Sequence, residues 1–238
     1  MISFSALGCT QINGAEQNAA TPIATAQPDL AISGNSTPNT DSPNTDSPNT
    51  ANANTASPSA DPELSTAIFA GGCFWCMEQP FDQLPGVVST TSGYTGGTVE
   101  NPTYAEVSGG STGHVEAMEV RYDPQQVSYE KLLTTFWHNI DPLDNRGQFC
   151  DQGSQYRSAI FYDTAEQQAL AEASKNEIAE QLDQPIATDI LPAARFYDAE
   201  DYHQDYYQTH AVRYKVYRFG CGRDQRLSDL WGAEAPSH

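Results

Sequence analysis

From residue 66 onward the apolar residues switch repeatedly between a period of two and a period near 3.6, and that alternation confines the chain to an α+β fold. Residues 66–70 read as a short buried strand, after which Phe74, Met77, Phe81 and Leu84 fall at helical spacing over 73–84. Gly71-Gly72 supplies the turn between them. Residues 87–94 and 114–122 alternate as strands, the second closed by Asp123-Pro124. Ser128 caps an amphipathic helix that runs to Trp137. A polar loop over 141–157 leads to a strand over 158–162, and Thr164 caps a long helix to Leu182. Residues 188–196 form a strand that Pro192 breaks or places at an edge, and 200–210 a short aromatic-rich helix. The first six elements run β-α-β-β-α-β, the pattern of a ferredoxin-like two-layer sandwich, here with extra helices and loops appended.

Residues 1–60 follow none of these patterns. Met1–Gly8 is apolar, residues 10–60 are Ala, Asn, Thr, Ser, Pro and Gln with almost no large apolar side chains, and a pentad recurs as Ser36–Thr40, Asp41–Thr45 and Asp46–Thr50. Such a segment buries too little surface to offset its ordering entropy, so a disordered low-complexity tail or linker is expected. The folded domain is expected over 61–238, about 178 residues, enough for a sizeable core without disulfide staples. Ala6-Leu7-Gly8-Cys9 resembles a bacterial lipoprotein cleavage box, but the basic n-region and longer apolar core of a full signal are missing. Two placements stay open: cytoplasmic, or envelope-anchored through a lipidated Cys9. The formal net charge is −20, of which the tail contributes only Glu16, Asp29, Asp41 and Asp46. A domain so acidic repels phosphate backbones and anionic membranes, which excludes nucleic acid as a partner. No run approaches the roughly 18 apolar residues of a membrane span.

The five cysteines are Cys9, Cys73, Cys76, Cys150 and Cys221, a set that gives no even disulfide framework and suits redox chemistry better than stapling. Cys73 follows a double glycine at a predicted strand-to-helix turn, where unpaired backbone N–H groups and the helix dipole favour a thiolate. It is the candidate nucleophile. Glu116, on an alternating strand after a Gly-rich loop, becomes a general acid if burial raises its pKa. Tyr104 and Tyr156 are phenol donors in loop segments, and Asp151 adjoins Cys150. Taken singly, each of these has an ordinary explanation as a solvated carboxylate or a ring covering the core edge.

Taken together they resemble the peptide-methionine (S)-S-oxide reductases, the methionine sulfoxide reductase A family. Gly72-Cys73-Phe74-Trp75, Gly93-Tyr94-Thr95-Gly96-Gly97, Asn101-Pro102-Thr103-Tyr104, Gly113-His114-Val115-Glu116 and Gln155-Tyr156-Arg157-Ser158 match that family's blocks in order, over residues 66 to about 219. The resemblance implies an oxidoreductase, with no cofactor and no metal, that reduces the S epimer of methionine sulfoxide in proteins, in peptides or as the free amino acid. Phe74 and Trp75 would bind the S-methyl group; Glu116, Tyr104 and Tyr156 would hold the oxygen, and Asp151 the polar network. Cys73 would become a sulfenic acid, and a second cysteine would condense with it to a disulfide that thioredoxin resets. A monomer is expected. Many members carry Gly where this chain has Cys76, which leaves three resolving candidates. Cys221 lies between Gly220 and Gly222, whose freedom would let it swing to the site; Cys76 is one helical turn from Cys73; Cys150 neighbours Asp151. Two rival classes remain: a thioredoxin-like dithiol oxidoreductase built on Cys73 and Cys76, and a structural zinc module using Cys73, Cys76, Cys150 and Cys221.

Overall fold

The computed structural model describes residues 63–236; the expected tail over 1–60, its pentads and Cys9 lie outside them. The strands are β1 (Ser65–Gly71), β2 (Val87–Thr95), β3 (Val115–Tyr122), β4 (Gly147–Gln148), β5 (Asp151–Gln152), β6 (Ser158–Tyr162), β7 (Asp189–Pro192) and β8 (Tyr197–Asp198). The helices are α1 (Trp75–Asp82), α2 (Tyr104–Ser108), α3 (Tyr129–His138), α4 (Ala165–Leu182), α5 (Tyr206–Thr209), α6 (Ala211–Gly220) and α7 (Arg223–Trp231). The main sheet runs β7-β6-β1-β3-β2-β8, and only the β6–β7 pair is parallel. Its inner four strands have the order and antiparallel pairing of a ferredoxin-like sheet.

Alternation along each strand divides the sheet into two faces. Phe69 of β1 and Met118 and Val120 of β3 turn to the larger core, where Phe69 stacks on Phe81 of α1 at 5.2 Å and on Phe136 of α3 at 5.2 Å. Ile68, Ala70, Val115 and Ala117 turn to the opposite face with Phe161, where Leu191 and Phe196 cover them. Glu116 shares its parity with Met118 and Val120, so the sheet carries it to the helix-covered face, where it is fully buried. That placement is the first step toward its chemistry.

The structure differs from the sequence reading at several points, among them the short strands β4 and β5 inside the expected 141–157 loop and the helices α6 and α7 beyond residue 210. Helix α1 begins at Trp75, so Cys73 lies just ahead of it and Phe74 is its N-cap. Residues 104–108 are helical: Thr103 accepts from the Glu106 N–H while the Glu106 carboxylate accepts from the Thr103 N–H, a capping box. The segment 200–210 is two short turns of helix parted by Asp205, whose φ of 51° interrupts the first. Cys221 is in no loose tail: it caps α6, and Gly222 at φ 66° starts α7. Pro192 ends β7 at the sheet's edge, where a missing N–H costs no ladder bond. Among the described residues, no helix is long and apolar enough to cross a membrane.

Candidate active site

The turn between β1 and α1 needs both glycines. A Cβ on Gly71 would stand 2.6 Å from Met77 Sδ, and one on Gly72, at φ +81°, 2.5 Å from Gln148 Cβ. Gln148 is itself fixed, donating from Nε2 to the Asp141 carbonyl at 2.7 Å and accepting the Asp141 N–H at 2.8 Å. The 141–157 loop is therefore pressed against the glycine pair, and Cys73 emerges where loop, strand and helix meet. The Cys73 carbonyl accepts the Cys76 N–H at 3.0 Å, which closes the turn and brings the two cysteines together.

Cys73 and Cys76 are both buried and neither is in a disulfide. The Cys76 thiol is pushed up by its hydrogen bond with Cys73 and by burial, against the pull of the Arg223 and Arg218 guanidinium groups. Cys76 thus keeps its proton and shares it with Cys73. Arg223 reaches from α7 beneath this turn, donating to the Asn139 carbonyl at 2.6 Å and the Gly71 carbonyl at 3.1 Å. One peptide beyond Cys73, the Phe74 N–H donates to Glu116 Oε2 at 3.1 Å. Glu116 Oε1 is buried and has no protein partner among the described residues. Burial pushes this carboxyl well above its ordinary 4.5, with Asp151 adding to the rise and the Phe74 N–H opposing it. The group is held neutral.

Asp151, on β5, accepts from the Tyr217 hydroxyl, and the Tyr217 ring edges onto Trp75 at 6.0 Å. Tyr156 is buried in the turn 154–156, which packs against the strand carrying Glu116. Tyr104 opens α2, partly buried, with its N–H donated to Glu200 at 2.9 Å. Asp151 acts on Glu116 by charge, and Tyr104 is joined to Phe74 and Trp75 by the His203 ring, which packs against all three. Cys150 and Cys221 form a half-buried pair joined by a disulfide. Among the described residues these two do not join Cys73 and Cys76 in any cluster of ligand spacing, which counts against the zinc module.

Several residues that close the site were absent from the sequence reading. His203 accepts the Trp75 indole N–H on Nδ1 at 3.0 Å and packs against the rings of Phe74, Tyr104 and Tyr202. Burial pulls it down to about 4, so the imidazole is neutral and its proton sits on Nε2. Tyr206 stacks on Trp75 at 3.7 Å. Glu200 binds the Tyr94 hydroxyl at 2.8 Å as well as the Tyr104 N–H. Glu78 accepts the Asp205 N–H at 2.8 Å and the Tyr206 N–H at 3.1 Å, pinning the 200–206 strap over α1; burial pushes its carboxyl up to about 7. The only hint in the sequence was the density of rings in Tyr202-His203-Gln204-Asp205-Tyr206-Tyr207.

A buried thiol, a second thiol hydrogen-bonded to it, and a carboxyl raised well above its ordinary range beside the next residue, built on an α+β fold, define a cysteine-dependent reductase. The sequence model of peptide methionine sulfoxide reductase matches residues 65–235. The chain is 54% identical over 168 residues to the peptide methionine sulfoxide reductase MsrA of Bacillus licheniformis, covering 70% of this chain and 93% of that protein. It is also 54% identical over 170 residues to MsrA of Bacillus subtilis, covering 71% and 96%. Among solved structures it is similar to methionine sulfoxide reductase A of Corynebacterium diphtheriae, with a TM-score of 0.58 and 36% identity over 64% of this chain and 77% of that one. Reduced Mxr1 of Saccharomyces cerevisiae gives a TM-score of 0.60 at 30% identity over 62% and 86%. The chain belongs to the peptide methionine sulfoxide reductase family, and the thioredoxin-like reading is set aside.

Proposed function

We propose that this chain reduces the S epimer of methionine sulfoxide, free or in peptides, to methionine, with Cys73 as nucleophile and Glu116 as proton donor. The observation that carries the reading is the 3.1 Å hydrogen bond from the Phe74 N–H to a buried Glu116, which sets a neutral carboxyl against the residue next to Cys73. A sulfoxide oxygen leaves sulfur only once protonated, and a carboxylic acid kept neutral by burial meets that need. Tyr104 and Tyr156 donate hydrogen bonds to the same oxygen, Asp151 holds the polar surround, and Phe74 and Trp75 line the slot for the methyl group.

The Cys73 thiolate attacks the sulfoxide sulfur, the oxygen takes the Glu116 proton, and collapse transfers that oxygen to Cys73 as methionine departs. Cys73 is left as a sulfenic acid and the substrate sulfur is reduced by two electrons. Cys76 resolves it: its sulfur attacks Cys73 Sγ, a disulfide forms, and hydroxide leaves with a proton as water. Its hydrogen bond with Cys73 supports this choice over Cys150 and Cys221, which pair with each other. The reduced Cys150–Cys221 pair then takes over the Cys73–Cys76 disulfide by two exchanges, regenerating both buried thiols. Their neighbourhood is supported by Tyr217, which joins Asp151 to Trp75, and by the charges of Arg218 and Arg223, either side of Cys221, which act on Cys76. A thioredoxin-class dithiol resets the outer pair. Replacing Cys73 with Ser is expected to remove turnover with the circular dichroism spectrum unchanged; retained turnover would overturn the assignment.

A further inference from the structure

We propose that the outer face of α6 is the docking ridge for the reductant, a small dithiol protein whose surface around its nucleophilic thiol is apolar and rimmed by acidic groups. The inference rests on the recycling step above and adds where the partner binds. Val212, Val216 and Phe219 recur at i, i+4 and i+7 on α6 and are 80%, 69% and 84% exposed. Large exposed apolar side chains are few among the described residues, and three of the six lie on this one helix. The opposite side of α6 buries Tyr214 and Arg218, so the helix is already packed and its outer stripe is surplus to the fold.

Position commits the ridge to one occupant. The stripe spans about 10 Å at 1.5 Å per residue, and Phe219 stands two residues before Cys221, half of the half-buried Cys150–Cys221 disulfide. Cys73 and Cys76 are fully buried, which among the described residues leaves this disulfide as the redox pair that a protein thiol can reach. Attack by the partner's thiolate on one of its sulfurs forms a mixed disulfide and releases the other as a thiolate. The partner's second thiol then breaks the mixed disulfide, so two electrons enter and the partner leaves oxidised.

Charge points the same way. The chain carries a formal −20, yet no Asp or Glu occurs between 206 and 223, where Arg213 and Lys215 are exposed on α6 beside the stripe. An acidic partner is repelled by the rest of the surface and admitted here, which steers its encounter to the disulfide. A stable homodimer needs roughly 800 Å² from each partner, more than a three-residue ridge on one ten-residue helix supplies, whereas a transient redox encounter does not.

The test compares two reductants on the full chain. Turnover of a methionine sulfoxide peptide is measured with thioredoxin, thioredoxin reductase and NADPH, and again with dithiothreitol alone, for the wild type, V212S/V216S/F219S and R213E/K215E. Both variants should lower kcat/KM for thioredoxin by about tenfold and leave the dithiothreitol rate within about twofold. The charge variant should also flatten the fall of the thioredoxin rate with salt. An unchanged thioredoxin kcat/KM, or an equal loss with both reductants, would overturn the docking assignment. So would a wild-type dimer that the triple variant dissociates with thioredoxin turnover unchanged. Failure of the wild type with both reductants would instead strike the reductase reading itself.

Discussion

Replacing Glu116 with Gln separates proton donation from everything else this side chain does. The amide oxygen can accept the Phe74 N–H in place of Oε2, now 3.1 Å away, and the amide nitrogen takes the position of Oε1, which has no protein partner among the described residues. Shape, the backbone hydrogen bond and a donor toward the site all persist; a transferable proton does not. General acid catalysis contributes about 10²- to 10⁴-fold, and because a hydrogen-bond donor survives we expect the lower end, about 10²-fold or near 3 kcal/mol of barrier. The assay is single-turnover methionine formation under excess enzyme, followed across pH. The wild-type rate should fall as pH rises through the elevated Glu116 pKa, while the residual rate of E116Q should lack that limb. Stability has its own sign. A carboxyl raised above its unfolded value destabilises the fold progressively as pH rises from about 4.5 to the folded pKa, at about 1.4 kcal/mol per unit, and Gln removes this slope. E116Q should therefore gain on the wild type toward alkaline pH. A near-normal rate, or the same pH limb in both proteins, would refute Glu116 as the proton donor.

The same logic gives a stability prediction at Glu78, raised from 4.5 to about 7: urea unfolding should show E78Q gaining about 3 kcal/mol on the wild type between those pH values and no more beyond. A constant difference across that range would mean the buried carboxyl does not titrate there. Cys76→Ser should still yield one methionine per enzyme but leave Cys73 as a sulfenic acid reactive to dimedone, whereas Cys221→Ser should form the first disulfide normally and stall recycling. If Cys221→Ser instead accumulates the sulfenic acid, Cys221 is the resolving residue. Gly72→Ala places a methyl 2.5 Å from Gln148 Cβ at a φ of +81° and should cost at least about 2 kcal/mol in thermal or chemical denaturation, with activity falling as Cys73 shifts. Wild-type stability in this variant would show that the turn has room the geometry denies.

Local pattern carried most of the sheet and the long helices, because β1 and β3 are short runs rich in apolar residues and α3 and α4 start from the recognisable caps Ser128 and Thr164. The parity of Glu116 with Met118 and Val120 was also readable, and with it the reason this carboxyl is buried. Three features were not. Helix α2 is a single turn set by the Thr103–Glu106 capping box, too short for periodicity to register. The strap over 200–206 is shaped by Glu78, more than a hundred positions earlier, which binds two of its N–H groups and fixes the turn at Asp205. His203 and Tyr206 reach Trp75 only through that long-range tie. Cys221 looked mobile because two glycines flank it, yet Arg223 buries itself under Gly71 and holds the start of α7 in place. For the strap and for Cys221 the deciding interaction joins segments far apart in the chain, where spacing says nothing.

The most direct test of the chemistry is single-turnover reduction of the separated S and R epimers of a methionine sulfoxide peptide by the fully reduced enzyme, with thiols counted before and after. Methionine should form from the S epimer alone, with two thiols lost per methionine. Equal turnover of both epimers, or methionine formed with no loss of thiols, would contradict a Cys73 nucleophile resolved to a disulfide.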